Sequence, residues 1–371
     1  MMNSSERNDI KSSLRKREFP FCARDALKKV EELLCQTTNL AHQSVKQLML
    51  EELISELISE FIFNDVDRRG MRRKLTQIQE LDLLQVICDH MLFEGTGNSP
   101  MRNLLFLALF PFQAVERIHF LIKLVSFAIS TRNTPVLTAT SVLLQYRGLS
   151  STYSRDFVNK FVPEIYLLIS ADSSSVLDLP RHAPRFSANF LTSLTDIEGK
   201  SQISLPPVAL LEVILTWLKS NPRLCTIALL DNLQQMLPDV TMMFPSPTPY
   251  IGLIKWCIWS HLDENSNSQI YTTLEQLILE SLAICRSTVG IIHHDIISTK
   301  DLITLIPILA TKGAAHPDRL KRSIESLVKI IRVALITNTL NGSKQDLRRH
   351  LQSLPYNEAL DILVQDIAIV P

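Results

Sequence analysis

Val208-Ala209-Leu210-Leu211-Glu212-Val213-Ile214-Leu215-Thr216-Trp217-Leu218-Lys219-Ser220, entered through Leu205-Pro206-Pro207, is the stretch whose reading decides the fold. Its polar residues Glu212, Thr216 and Lys219 fall at i, i+4 and i+7, one narrow stripe of a helix. Everything else between Val208 and Leu218 is apolar, so the helix is expected to be walled in on most sides, with Trp217 as its largest buried side chain. The segments around it open in the same way. Ala183-Pro184-Arg185-Phe186 runs into Leu194, Asn221-Pro222-Arg223 into Leu237, and Thr248-Pro249 into Trp259. Proline loses nothing at the start of a helix, where its missing N–H would have had no partner. Four consecutive helices are therefore expected between Ala183 and Trp259.

Outward from this block the same helical spacing recurs. Toward the N-terminus it marks Ala26 to Leu34, Val45 to Phe63, and a third helix carrying Ile78, Leu81, Leu84, Val86, Ile87 and Met91 behind a Thr76/Gln79 capping box. Ser99-Pro100 opens Met101 to Phe110, Val115 to Ser130 follows, Thr134-Pro135 starts a helix that Gly148 stops, and Phe157 to Ile169 is helical in pattern. Toward the C-terminus come Ile270 to Cys285, Leu302 to Leu309 with Pro307 expected to kink or shorten it, and Asp318 to Leu340 ended by Gly342. Two final segments, opened by Ser343/Asp346 and separated by Pro355, complete the chain. No stretch alternates like a strand. The expected class is all-α, an irregular HEAT-like α-solenoid of about fifteen helices, since neither a tetratricopeptide nor an ankyrin consensus is present. Residues 1–18 are expected to be a disordered leader and residues 19–371 a single helical solenoid, with softer joints at 171–184 and 238–249.

Composition narrows the function classes. Of 371 residues 46% are hydrophobic and only nine are glycine, which suits a packed helical protein better than a glycine-lined cofactor fold. Lys+Arg and Asp+Glu each total 38, so no global field draws in a polyanion. The six cysteines are scattered, without a C-x-x-C pair, and read as small buried hydrophobes of a reducing compartment. The polar start lacks a secretory apolar run, and the greasiest stretches fall short of the ~18 residues of a membrane span, so a soluble intracellular protein is expected.

Each candidate reactive constellation in the chain falls short. Gly199-Lys200-Ser201 ends like a phosphate-binding loop, but the glycine needed five residues earlier is Leu194. The nucleophile elbow suggested by Gly148 and Ser150 has threonine at 152. His293-His294-Asp295 lacks supporting ligands, and adjacent side chains point apart. No catalytic residue, cofactor or metal is expected. The loop from Asn64 to Lys74 concentrates Arg68, Arg69, Arg72, Arg73 and Lys74 around Gly70. It is either a solvated loop balanced by Asp65 and Asp67 or a functional element that grips phosphates, serves as an import signal or binds a partner, and it contains no aromatic residue for stacking on a base. Arg185, Arg223, Lys255 and Trp259 are the other candidate partner-binding residues, with at least one of Trp256 and Trp259 expected at an edge.

At Ala183-Pro184-Arg185-Phe186, Phe190-Leu191-Thr192-Ser193, Leu205-Pro206-Pro207, Leu210-Leu211-Glu212, Thr216-Trp217, Pro222-Arg223-Leu224 and Gly252-Leu253-Ile254-Lys255-Trp256-Cys257 the chain resembles the Integrator complex subunit 15 family. Gln79-Glu80-Leu81, Lys123-Leu124-Val125-Ser126, Pro135-Val136-Leu137, Asp346-Leu347-Arg348 and Leu354-Pro355 extend the likeness in order from about Arg24 to Ile367, the first sixty residues only loosely. The resemblance implies an all-helical, non-enzymatic scaffold of the nuclear Integrator complex, which processes small nuclear RNA 3′ ends and attenuates transcription. It further implies docking of an arm containing subunits ten, thirteen and fourteen, and a monomer within a hetero-oligomer. The family's Pro/His-rich tail has no counterpart before Pro371. The alternative reading is an RNA-binding helical-repeat protein using the basic loop and the Arg319 to Arg322 cluster.

Overall fold

A computed structural model describes residues 4–38, 45–66, 71–94, 99–197, 205–227, 237, 248–264, 266–285 and 296–369. Among them are seventeen α-helices, and the described residues fall into two compact units: those of Met1–Tyr146 with Asn232–Met243, and those of Arg147–Asp231 with Phe244–Pro371. The all-α class expected from the sequence holds.

In the first unit α1 is Ser4–Arg15, α2 Phe21–Thr38, and α3 Val45–Leu57, which widens into a π-helical turn at Ile58–Ile62. Then come α4, Gln77–Asp89, with a second π turn at His90–Glu94, α5 Ser99–Leu109, α6 Ile118–Ser130 and α7 Thr134–Arg147. Helix α2 packs on α3 and its π turn, as the two apolar stripes require, burying Ala26, Leu27 and Val30 against Leu53, Leu57 and Phe61. The capping box at Thr76 and Gln79 is present in both directions. Gly148, at φ +87°, stands just past the end of α7 as the stop the sequence announced. Phe63 sits edge-on to Phe110 and Phe120, with ring centroids 5.8 and 5.3 Å away.

The second unit holds α8 Thr152–Leu177, α9 Leu179–His182, α10 Pro184–Ile197, α11 Val208–Ser220, α12 Tyr250–Ser260, α13 Ser268–Cys285, α14 Thr299–Gly313, α15 Pro317–Ile336, α16 Lys344–Leu351 and α17 Glu358–Ile369. In α11 the expected polar stripe Glu212, Thr216 and Lys219 is exposed while Leu210, Leu211, Val213, Ile214, Leu215, Trp217 and Leu218 are buried. Trp217 is fully enclosed and donates its indole N–H to the Val176 carbonyl at 2.8 Å. Its ring meets Phe190 edge-on, and Phe190 meets Phe161, so one aromatic chain from Phe157 to Trp217 ties α8, α10 and α11 together.

Several expectations are corrected. The leader is not without order: Ser4–Arg15 is helical and its basic residues meet carboxylates of α3 and of the π turn that follows it. The expected joint at 171–184 is mostly helix, broken at Asp178, at Ala183 (φ −138°, ψ 64°) and where Asp172 takes an extended conformation (φ −154°, ψ 97°) and its carboxylate accepts the N–H of Ser174, which restarts the helix. Pro307 does not shorten α14, which continues past it to Gly313. Helix α15 stops at Ile336, not Leu340, because Asn338 takes a positive φ of 55° and Leu340–Asn341 form a two-residue parallel strand with Ile297–Ser298. Ile78 and Leu81, expected in the core, are 75% and 59% exposed. The third of the four central segments contains a 3₁₀ turn, Leu224–Thr226, and its expected continuation through 228–236, like most of the expected joint at 238–249, lies outside the described residues.

Candidate interaction surfaces

The basic loop is a hairpin at its described base. Val66 and Arg72 form an antiparallel bridge, and the Arg73 N–H donates to the Asp65 carbonyl at 2.7 Å. Met71, Arg72, Arg73 and Lys74 are exposed, whereas Arg68 and Arg69 lie outside the described residues. Asp65 was expected to balance the loop arginines. Its carboxylate accepts from Arg117, at 3.2 Å from Nε and 2.8 Å from Nη2. Arg117 is only 8% exposed. It also donates to the Leu109 carbonyl and the Ser59 hydroxyl, and its guanidinium lies 4.4 Å from the centre of the Phe63 ring. One buried cation thus fixes the end of α5, the first π turn and the foot of the hairpin. Arg117 belongs to no motif in the sequence, and only its place beside the apolar stripe of α6 hints at burial.

In the second unit Arg223 is exposed, and its N–H donates to the Asn221 side-chain carbonyl at 3.2 Å to start the 3₁₀ turn. Lys255 is half-buried on α12. It belongs to a charge group drawn from four helices, in which Arg155 of α8 pairs with Asp196 of α10 at 3.2 Å. Asp301 of α14 has its carboxyl pushed up by desolvation, pulled down by Lys255 and pushed up again by Asp196. Arg185 and Trp259 do not present themselves: they are 7% and 2% exposed, and Trp256 is buried as well, so neither tryptophan stands at an edge. The reason is the close approach of α12 to α10. A Cβ on Gly252 would sit 2.1 Å from the Thr195 Cβ, so this glycine lets α12 sink its aromatic face fully into the unit.

Two polar features had no sequence expectation. Glu31 and His90, 4% and 2% exposed, meet at 3.1 Å and join α2 to the second π turn. On the surface, Arg7, Lys11 and Arg15 of α1 face Glu52, Glu56 and Glu60. Both sets repeat at i, i+4 and i+8, a register legible in the sequence once the two helices are known to touch. Among the described residues no group of three His, Cys, Asp or Glu could hold a metal ion, and no helix is long and apolar enough to cross a membrane. His293 to Asp295 and Gly199 to Ser201 lie outside them.

Fold and surface together define an all-α protein whose exposed charges stand on packed helical bases. The Integrator complex subunit 15 family matches residues 8–356, and the chain belongs to that family. Integrator complex subunit 15 of Drosophila melanogaster is 25% identical over 96% of this chain and 95% of its own length. The Danio rerio protein of the same name is 26% identical over 87% of this chain and 74% of its own, and the Homo sapiens one 24% identical over 96% and 86%.

Proposed function

We propose that this chain is a non-enzymatic scaffold subunit of the nuclear Integrator complex, joining an accessory arm of subunits ten, thirteen and fourteen to the rest of the assembly in small nuclear RNA 3′-end processing and transcription attenuation. The observation that carries this reading is the extent of the family match, residues 8–356, which takes in described helices of both units. The chemistry is that of surface presentation. The hairpin at Arg72 and Arg73, whose foot is fixed by Arg117, and the exposed Arg223 and half-buried Lys255 are the charged elements offered to partners, while Arg185 and Trp259 are buried in the second unit.

Affinity purification of the tagged chain from nuclear extract, read by mass spectrometry, tests the reading. Recovery of Integrator subunits, with the three arm subunits among the most enriched, is the expected result; their absence would overturn it. A salt titration separates the RNA-binding alternative. Phosphate contacts made by Arg72, Arg73 and Lys74 would weaken steeply between ~50 and ~200 mM salt, whereas an apolar subunit interface hardly responds.

A further inference from the structure

We infer that α1 is a releasable strap, clamped on α3 by a ladder of charge and able to dock and undock as one piece while the rest of the first unit stays folded. The ladder is matched rung by rung. Arg7 reaches Glu52 at 3.5 Å and forks onto Glu56, Lys11 bridges Glu56 at 2.7 Å and Glu60 at 3.6 Å, and Arg15 grips Glu60 with Nε at 2.9 Å and Nη2 at 2.7 Å. Because each middle residue serves two partners, the pairs form a network rather than isolated bridges. Its inner members are shielded, with Lys11 and Glu60 side chains 15% and 13% exposed. That enclosure sets the ladder apart from ordinary surface pairs, whose contribution is small.

The apolar contribution to docking is slight by comparison. Among the side chains described in α1, Leu14 alone is buried, and Ile10 is half-buried. At 12 residues, α1 is also at the lower limit at which a peptide helix holds in water, so it is helical because it is docked. Leu50, Leu53, Ile54 and Leu57 of α3 are buried in a helix that packs on α2, and α2 also touches α1. Charge attraction therefore decides whether the strap is down. Release would uncover three carboxylates and the seat of Leu14. Such an element belongs to the low-energy end of the local opening spectrum.

Amide hydrogen exchange of the full chain tests this. Protection of residues 4–15 is expected to fall about tenfold between ~0.1 and ~1 M salt, as the screening length shrinks from ~10 to ~3 Å, while α2 and α3 keep theirs. The variant Arg7→Glu/Lys11→Glu/Arg15→Glu should leave residues 4–15 unprotected at low salt, and adding Glu52→Lys/Glu56→Lys/Glu60→Lys should restore them. Protection that ignores salt, or that survives the first charge reversal, would overturn the inference. So would loss of protection in α2 and α3 together with α1. Should the sixfold variant fail to fold, the salt series on the unaltered chain decides alone.

Discussion

The α1–α3 contact and the α8–α10–α11 junction solve the same problem, holding one helix against another, by opposite means. The first uses six charged residues and one buried leucine; the second uses Phe157, Phe161, Phe186, Phe190 and Trp217, each 2% exposed or less. The aromatic junction gains from every contact made out of water and is insensitive to salt. The charged contact is only partly enclosed, so salt and pH can tune it from outside. Within one chain, stiffness and reversibility are thus assigned to different chemistries.

Cutting the aromatic chain is the most direct way to break this contrast. Trp217→Ala should destabilise the second unit by about 3–5 kcal/mol, through lost burial, a cavity and an orphaned Val176 carbonyl, seen as a lower denaturation midpoint. An unchanged midpoint would mean the junction is peripheral. Next comes Arg117→Met, where charge and apolar packing meet in one residue. Asp65 is 37% exposed and can rehydrate, so a loss of about 2 kcal/mol is expected, with Arg72 and Arg73 amides exchanging faster. Gly252→Ala forces α12 away from Thr195 and should cost about 1–3 kcal/mol with little change in secondary structure by circular dichroism.

Smaller effects sharpen the other side. Burial pushes the Glu56 carboxyl up, but Lys11 and Arg7 together outweigh it and hold the group below its ordinary range. The ladder's stabilisation is therefore complete above the ordinary carboxylate range and is lost as pH falls through the lowered value. Glu56→Gln should cost under about 1 kcal/mol at neutral pH and flatten that acid dependence in exchange of residues 4–15. In the second unit His261 is held below its ordinary pKa by burial first, with Glu275 and Glu325 raising it and Arg322 lowering it. The unfolded chain then takes up the proton first, so stability should decline as pH drops below ~6.5, and His261→Gln should reduce that slope in urea melts.

Local patterns were legible and long-range meetings were not. The stripe of α11, the box at Thr76, the Gly148 stop and the Ser343 start each depend on residues within a turn or two, and each stands where the spacing put it. The pairing of Ile297–Ser298 with Leu340–Asn341, the partner of Asp65, and the burial of Trp259 all depend on segments tens of residues apart. Ile78 and Leu81 fit a buried period yet face solvent, because period alone does not say which face a helix turns inward. The α1 ladder lay in plain view as two matching charge repeats, but a repeat acquires meaning only when its counterpart is known.

Cys22, Cys88, Cys225, Cys257 and Cys285 are enclosed, and burial pushes each sulfhydryl up, Cys88 to about 12. At neutral pH each is therefore protonated and out of reach of an alkylating reagent until its surroundings come apart. The two in the first unit and the three in the second make the chain its own timer: the order in which peptides gain the alkyl mass would record which unit opens first.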